Sequence, residues 1–306
     1  MHINNPREQE FVDKLVRKGL LIPTGVAGVY GRNEVFEDVI HRFDDFITVS
    51  ARNDMAEVIR FPPVLNRKNF ELSGYLQSFP QLAGSIFSFE GTTEEHEKLL
   101  DTIHEGKDWS IYQKMTDVVL TPAACYPVYP VAAARGPISQ AGCLFDVMSY
   151  CFRHEPSTDP ARLQCFRMRE FVRIATADEV VQWRDAWIER GRRMLEDVGL
   201  FVISDVANDP FFGRGGRMLA ISQREQRLKL ELLVSICSDE NPTAVMSCNY
   251  HQEHFGHIFG INDESGNCAE TACVGFGMER IALALFHTHG LDPNRWPAGV
   301  RGKLWH

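Results

Sequence analysis

The sequence has no apolar run approaching the length of a membrane span, so it offers no transmembrane helix. Its first residues, MHINNPREQE, lack the basic-then-apolar pattern of a secretory signal. Both absences lead to the expectation of a cytoplasmic protein. Positive charge is scarce: 32 Lys and Arg face 41 Asp and Glu, for a formal net charge of −9. That balance argues against a broad nucleic-acid footprint and leaves local basic patches open. No Cys-x-x-Cys pair occurs among the eight cysteines, at 125, 143, 151, 165, 237, 248, 268 and 273. The spacing is not that of a disulfide scaffold, so most are expected to be reduced core residues, with one or two available as metal ligands. There is also no internal repeat, no low-complexity tract and no obvious linker. At 306 residues and 44% hydrophobic content the chain can bury a large core, and it reads as one domain over 1–306.

Periodicity supplies the elements. Residues 7–19 and 32–49 carry helical spacing, the second through Val35, Val39, Ile40, Phe43 and Phe46. Glu57 to Phe61 reads as a strand stopped by Pro62 and Pro63, and 70–82 as a helix followed by a turn. Residues 115–150 mix short strands with turns at Pro122, Pro127, Pro130 and Gly136. Strand-like segments at 149–155 and 164–174 flank a turn-rich loop, Pro156 to Pro160. Residues 177–198 form the clearest helix, and strands are expected at 200–204, 228–237, 244–248 and 271–275. A final helix is expected from about Met278 to Thr288. Strands separated mostly by turns predict an α+β fold, an antiparallel sheet with helices packed around it.

Two stretches carry arginine in positions suited to a phosphate. In Phe152-Arg153-His154-Glu155, residues two apart on a strand share a face. Arg153 could meet an α-phosphate while Glu155 accepts from an adenine amino group, although a surface ion pair would look the same. In Gly275-Phe276-Gly277-Met278-Glu279-Arg280, glycines permit close approach of backbone to a flat ligand. Arg280, in the first turn of a helix, can stack on adenine or hold a γ-phosphate.

Together these stretches resemble motifs 2 and 3 of class II aminoacyl-tRNA synthetases. Arg60-Phe61-Pro62-Pro63-Val64 resembles motif 1 of the same enzymes, which forms their dimer. The resemblance runs from about residue 20 to 300. It implies a class II antiparallel sheet flanked by helices, a homodimer, and ATP-dependent activation of a carboxylate as an acyl-adenylate, with Mg²⁺ accompanying ATP. Arg162-Leu163 matches a nucleotide-proximal position of seryl-tRNA synthetases. Ala244-Val245-Met246-Ser247-Cys248-Asn249 resembles their strand whose backbone runs along the nucleotide. Ala244 stands where that family has a Mg²⁺-holding glutamate, which puts metal binding there in question.

Spacing alone would leave Cys125 and Cys273 as buried free cysteines. The resemblance to atypical, zinc-dependent seryl-tRNA synthetases implies instead a Cys125–Glu170–Cys273 site for one Zn²⁺ per subunit, with the substrate amino nitrogen as fourth ligand and Glu170 facing the amino acid. His251, His254 and His257 form a rival set at three-residue spacing, interrupted by Gly256 and Gly260.

The chain is expected to carry no tRNA-binding domain, which makes tRNA an unexpected partner. A catalytic core of this kind resembles the amino acid:[carrier protein] ligases. That group activates glycine or alanine and passes it to the phosphopantetheine thiol of a carrier protein. Arg214, Arg217, Arg224, Arg227 and Lys229 form a basic segment that would suit an acidic carrier, or simply a solvated helix face. Three other readings stay open: a seryl-type tRNA synthetase with a separate tRNA-binding partner, a ligase with another acceptor, and a non-catalytic paralogue.

Overall fold

The computed structural model describes residues 6–213, 215–237 and 241–305. The chain opens with α1 (Pro6–Arg17), β1 (Leu21–Pro23), β2 (Tyr30–Arg32) and α2 (Glu34–Ala51). Next come β3 (Glu57–Arg60), β4 (Val64–Asn66), α3 (Arg67–Leu72), α4 (Tyr75–Ser78), β5 (Ser85–Phe89), α5 (Thr93–His104) and β6 (Gln113–Leu120). The middle of the chain forms α6 (Val128–Ala134), β7 (Cys143–Phe152), β8 (Cys165–Ala175), α7 (Ala177–Asp197), β9 (Ile203–Val206) and α8 (Gly216–Glu225). The last elements are β10 (Lys229–Val234), β11 (Thr243–Gln252), α9 (His254–Phe259), β12 (Glu270–Gly277), α10 (Met278–His289) and α11 (Ala298–Leu304). Among the described residues, no helix is long and apolar enough to cross a membrane.

Seven strands make the central sheet, in the order β3-β7-β8-β12-β11-β10-β9. All neighbours run antiparallel except β3 and β7, which are parallel. Strands β4, β6 and β5 form a second sheet. The α+β class read from the sequence is what the chain adopts.

Helix α2 shows how local sequence feeds the core. The Asn33 side chain accepts a hydrogen bond from the Phe36 amide (3.0 Å), and Glu34 and Glu37 occupy the positive first turn. Phe36, Val39, Ile40, Phe43 and Ile47 then fall on one face and are buried with residues of α7, α10 and the sheet. Each contributes roughly 1.5–3 kcal/mol by burial. Helix α7 crosses the sheet at Gly191, where a Cβ would lie 2.1 Å from Met246 Sδ. Gly191→Ala therefore forces the end of the Met246 side chain to move.

Several expected elements are corrected. The 70–82 helix is broken into α3, α4 and a 3₁₀ turn, because Gly74 takes φ +78°. A helix, α6, stands among the strands expected over 115–150. Strand β7 stops at Phe152, so Arg153 and Glu155 lie just past its end rather than on it. Arg162 and Leu163 are likewise in the loop before β8. The strand expected at 200–204 begins at Ile203, and α10 is followed by α11.

Candidate active site

Alternation along β8 sorts its residues onto two faces. Arg167 and Arg169 point toward α2. Arg167 bonds Glu37 (2.6 and 2.9 Å) and Glu279 (2.8 Å), and Arg169 bonds Asp146 (2.6 Å) and Asp44 (2.8 Å). Met168 and Glu170 point the other way, into a cavity of about 510 Å³. Glu279 of the Gly-Phe-Gly-Met-Glu-Arg stretch also belongs to the structural side, since it additionally accepts from the Arg167 amide at 2.7 Å.

Strands β8, β12, β11 and β10 form one side of the cavity. Facing them are the segment Ser73–Leu82, the Asp209–Phe211 turn and α8. The two facing segments are clipped together: Phe79 stacks on Phe211 at 5.1 Å, and the Phe212 amide donates to Ser78 O.

At one end of the cavity three buried acidic side chains converge. Antiparallel pairing sets Gly275 opposite Glu170 and Cys273 opposite Val172, which places Cys273 and Glu170 on the same face. Gly275 keeps that face open, since a Cβ there would meet Glu170 Cγ at 3.3 Å. Cys125 arrives from the loop between β6 and α6, whose Ala124 amide donates to Glu170 Oε1 at 2.7 Å. One ligand atom from each of Cys125, Glu170 and Cys273 lies within 4.8 Å of the others. Burial, with Cys273 beside it, pushes the Glu170 carboxyl up to about 8. A hydrogen bond from the Cys125 thiol favours the Cys273 thiolate, so Cys273 sits well below the usual thiol value and Cys125 well above it. Nearby, the buried Tyr129 hydroxyl faces the same group, and burial with Cys125, Cys273 and Glu170 beside it pushes that phenol well above its ordinary value.

Around this group stand Asn249, with Nδ2 3.5 Å from Cys273 Sγ, and His251, with Nε2 3.6 Å from the same sulfur. Tyr126, Tyr129 and Phe255 add an aromatic wall, Tyr129 stacking on Phe255 at 3.9 Å. His254 and His257 do not join His251: they sit on α9, and His254 Nε2 bonds Ser73 O.

The same cavity is also lined by Arg153 and Arg280. Among the described residues, Arg153 donates to Pro122 O (3.1 Å) and, at 3.9 Å, to Met168 Sδ. Arg280 donates to Ala161 O (2.7 Å) and Ala244 O (2.9 Å). Among the described residues neither has a carboxylate within ion-pair distance. Burial, then the charges of Arg153 and Arg162, lower the Arg280 pKa. Such a place favours an anion. Glu155 and Leu163 also line the cavity, whereas Arg162 does not: it is half-exposed and 3.7 Å from Asp159. Ala244, Val245, Met246 and Ser247 border the cavity from β11, the side chains of Val245 and Met246 lying in the core.

The sequence reading missed the polar group of Lys229, Asp209 and Glu231 in the same cavity. Lys229 Nζ lies 2.6 Å from Asp209 and 3.0 Å from Glu231, so it is removed from the expected basic surface. Arg217 and Arg224 are on α8 and Arg227 just beyond it, all exposed; Arg214 lies outside the described residues.

The chain is 51% identical over 280 residues to amino acid–[acyl-carrier-protein] ligase 2 of Bradyrhizobium diazoefficiens, covering 92% of this chain and 84% of that one. It is 48% identical over 299 residues to ligase 1 of the same organism, covering 98% and 91%. The chain belongs to the amino acid–[acyl-carrier-protein] ligase family. It is also 30% identical to the type-2 serine–tRNA ligase of Methanopyrus kandleri over 213 residues, 64% of this chain and 40% of that enzyme. The fold of this ligase matches that of M. kandleri seryl-tRNA synthetase, solved with A. aeolicus tRNASec, at a TM-score of 0.82 and 20% identity. That match covers 99% of this chain and 60% of the synthetase. The seryl-tRNA synthetase of Pyrococcus horikoshii, solved with ATP, gives a TM-score of 0.67 at 13% identity, over 91% of this chain and 58% of that one. No protein-family profile matches the ligase.

Proposed function

We propose that the protein activates a small amino acid, glycine or alanine, with ATP and transfers it to the phosphopantetheine thiol of a carrier protein. The observation that carries this reading is one cavity lined by two chemically opposite groups: Arg153 and Arg280, which have no carboxylate partner among the described residues, and the buried Cys125–Glu170–Cys273 set.

The donor set fits zinc. Two thiols and a carboxylate are a borderline-soft, three-ligand combination, and burying them without a cation leaves them competing for protons. Cys125, Glu170 and Cys273 would hold the ion, which supplies an open coordination position and so selects an amino group. Magnesium is assigned to the ATP complex rather than to the chain. Position 244 offers it no side-chain oxygen, the Ala244 carbonyl already accepts from Arg280, and Asp209 and Glu231 are held by Lys229.

The residues then act by positioning and charge. An oxygen of the amino-acid carboxylate attacks the α-phosphorus, and the bond to the β-phosphate oxygen breaks to release pyrophosphate. Arg153 offsets the charge that builds at the α-phosphate, Arg280 holds the γ-phosphate end, and Glu155 accepts from the adenine amino group. The nucleotide runs along the main chain of Ala244 to Ser247, with Leu163 beside it. In the second step the carrier thiol, losing its proton to the medium, attacks the acyl carbon and AMP leaves.

Asn249, His251, Tyr126 and Phe255 crowd the cavity beside the Cys125–Glu170–Cys273 group and favour a substrate with little side chain. One methylene discriminates by only about 1–3 kcal/mol, so glycine and alanine are both expected to react. The acidic carrier docks on the α8 side, near Arg217, Arg224 and Arg227, and the working unit is a homodimer. Amino-acid-dependent ATP–pyrophosphate exchange across all twenty amino acids tests the first step. Exchange with glycine or alanine that a zinc chelator abolishes is expected; none with any amino acid, in zinc-loaded protein, overturns the reading.

A further inference from the structure

A second convergence of metal-binding side chains lies outside the cavity. Glu253 caps α9, His257 follows one turn later, and Cys268 approaches from the segment leading into β12. One ligand atom from each lies within 4.8 Å of the others. His257 Nε2 is 2.9 Å from Glu253 Oε2. We propose that Glu253, His257 and Cys268 form an exchangeable surface site for a borderline-soft divalent cation such as zinc, with water completing the coordination shell.

The donor types argue for this class of cation. Sulfur, imidazole nitrogen and carboxylate oxygen together suit zinc, cobalt or cadmium, whereas magnesium and calcium call for oxygen alone. Glu253 and His257, four residues apart, share one helical face. Cys268 is not on a loose tether. The Asp263 carboxylate accepts from the amides of Ser265 and Asn267 and from the Asn267 side chain, and Asn262 pairs with Cys268. Gly256 lets this hairpin close on the helix, because a Cβ there would lie 2.1 Å from Ala269 O and 2.7 Å from Cys268 Sγ. The small residue therefore delivers the thiol beside the other two donors.

The energetics permit exchange with solvent. The side chains of Glu253 and His257 are 52% and 68% exposed, so a cation reaches them without opening the fold. The His257–Glu253 contact it would displace is an exposed one of small worth. Occupancy would also reach the cavity. Helix α9 carries Phe255, stacked on Tyr129, and His254, bonded to Ser73 O. Tying α9 to the 263–268 hairpin stiffens that wall.

The test is a cadmium titration of the full-length protein, followed by the absorbance of the thiolate–cadmium bond. Wild type is expected to show two steps. Cys268→Ala removes one, and Cys125→Ala removes the other and leaves the surface step in place, which separates failure here from failure of the buried zinc reading. His257→Ala weakens the surface step by at least about tenfold. If Cys125→Ala does not fold, wild type preloaded with zinc replaces it, since a buried ion exchanges slowly and the surface step then appears alone. A titration curve for Cys268→Ala that overlays wild type, or one for His257→Ala with unchanged affinity, would overturn the proposal and leave a plain ion pair beside an unreactive thiol.

Discussion

Arg167 and Arg169 differ from Arg153 and Arg280 in one respect: the first two are saturated with carboxylates and the second two have none. Arg167 spans Glu37 and Glu279, and Arg169 spans Asp146 and Asp44, so each ties α2 to the central sheet. Arg153 and Arg280 rest on main-chain carbonyls and face a cavity. The same side chain thus serves as fastener on one face of the sheet and as a waiting charge on the other. The difference teaches where to look for chemistry. Buried charge that is already neutralised contributes to structure, whereas half-buried charge that faces a cavity without a carboxylate partner points to a ligand.

The largest expected effect breaks the fastener. Arg167→Ala leaves the Glu279 carboxylate, 1% exposed, without its main partner and should cost about 3–5 kcal/mol in urea unfolding. A loss below about 1 kcal/mol would place Arg167 with the waiting charges and dissolve the distinction. The mirror experiment is Arg153→Ala. It should lower glycine-dependent ATP–pyrophosphate exchange by about 10²–10³-fold, the usual loss for one donor to developing charge. Its stability should be unchanged or higher, since no ion pair is broken. A variant that unfolds easily yet exchanges normally when folded would reverse the assignment.

The alternation behind this comparison was legible in Phe166-Arg167-Met168-Arg169-Glu170, where a period of two alone separates the arginines from Met168 and Glu170. Which arginines are neutralised was not legible, because Glu37, Asp44 and Asp146 come from distant segments. Lys229 shows the same limit. Counted by charge it belonged to a basic surface, but Asp209 and Glu231 absorb it in the cavity. The Cys125–Glu170–Cys273 group was reached only through resemblance, since no spacing rule joins residues on three separate segments. Helix α6 was read as turns because of Pro127 and Pro130. Both prolines lie at or within its first turn, where a missing amide hydrogen costs nothing. Gly74 broke the expected 70–82 helix for the opposite reason, a positive φ that apolar periodicity does not record.

A smaller effect extends the comparison from arginine to histidine. His251 has its Nδ1 3.0 Å from Thr271 Oγ1 and its Nε2 3.6 Å from Cys273 Sγ. A Thr271 hydroxyl donating to Nδ1 leaves the proton on Nε2, which then donates to the sulfur. If Cys273 binds zinc as proposed, that contact orients its thiolate, and His251→Ala should weaken zinc affinity by about 10–100-fold in chelator competition. His251→Gln, which can keep a donor near the sulfur, should recover part of it. Unchanged zinc affinity would make His251 a packing residue against Phe255 and nothing more.

The smallest expected effect concerns exposed arginines, where solvent screens charge whether or not it is paired. Arg217→Glu and Arg224→Glu should raise the KM for the carrier protein a few-fold and leave pyrophosphate exchange alone, with the effect fading as salt rises. The two positions should differ in the same sense as the buried pairs. Arg224 already lies 3.4 Å from Asp205, both half-exposed, so part of its charge is offset before any carrier arrives. Arg217 therefore has the larger effect. Equal effects would mean that solvent levels paired and unpaired charge at the surface, which confines the distinction between fastener and waiting charge to the buried sheet.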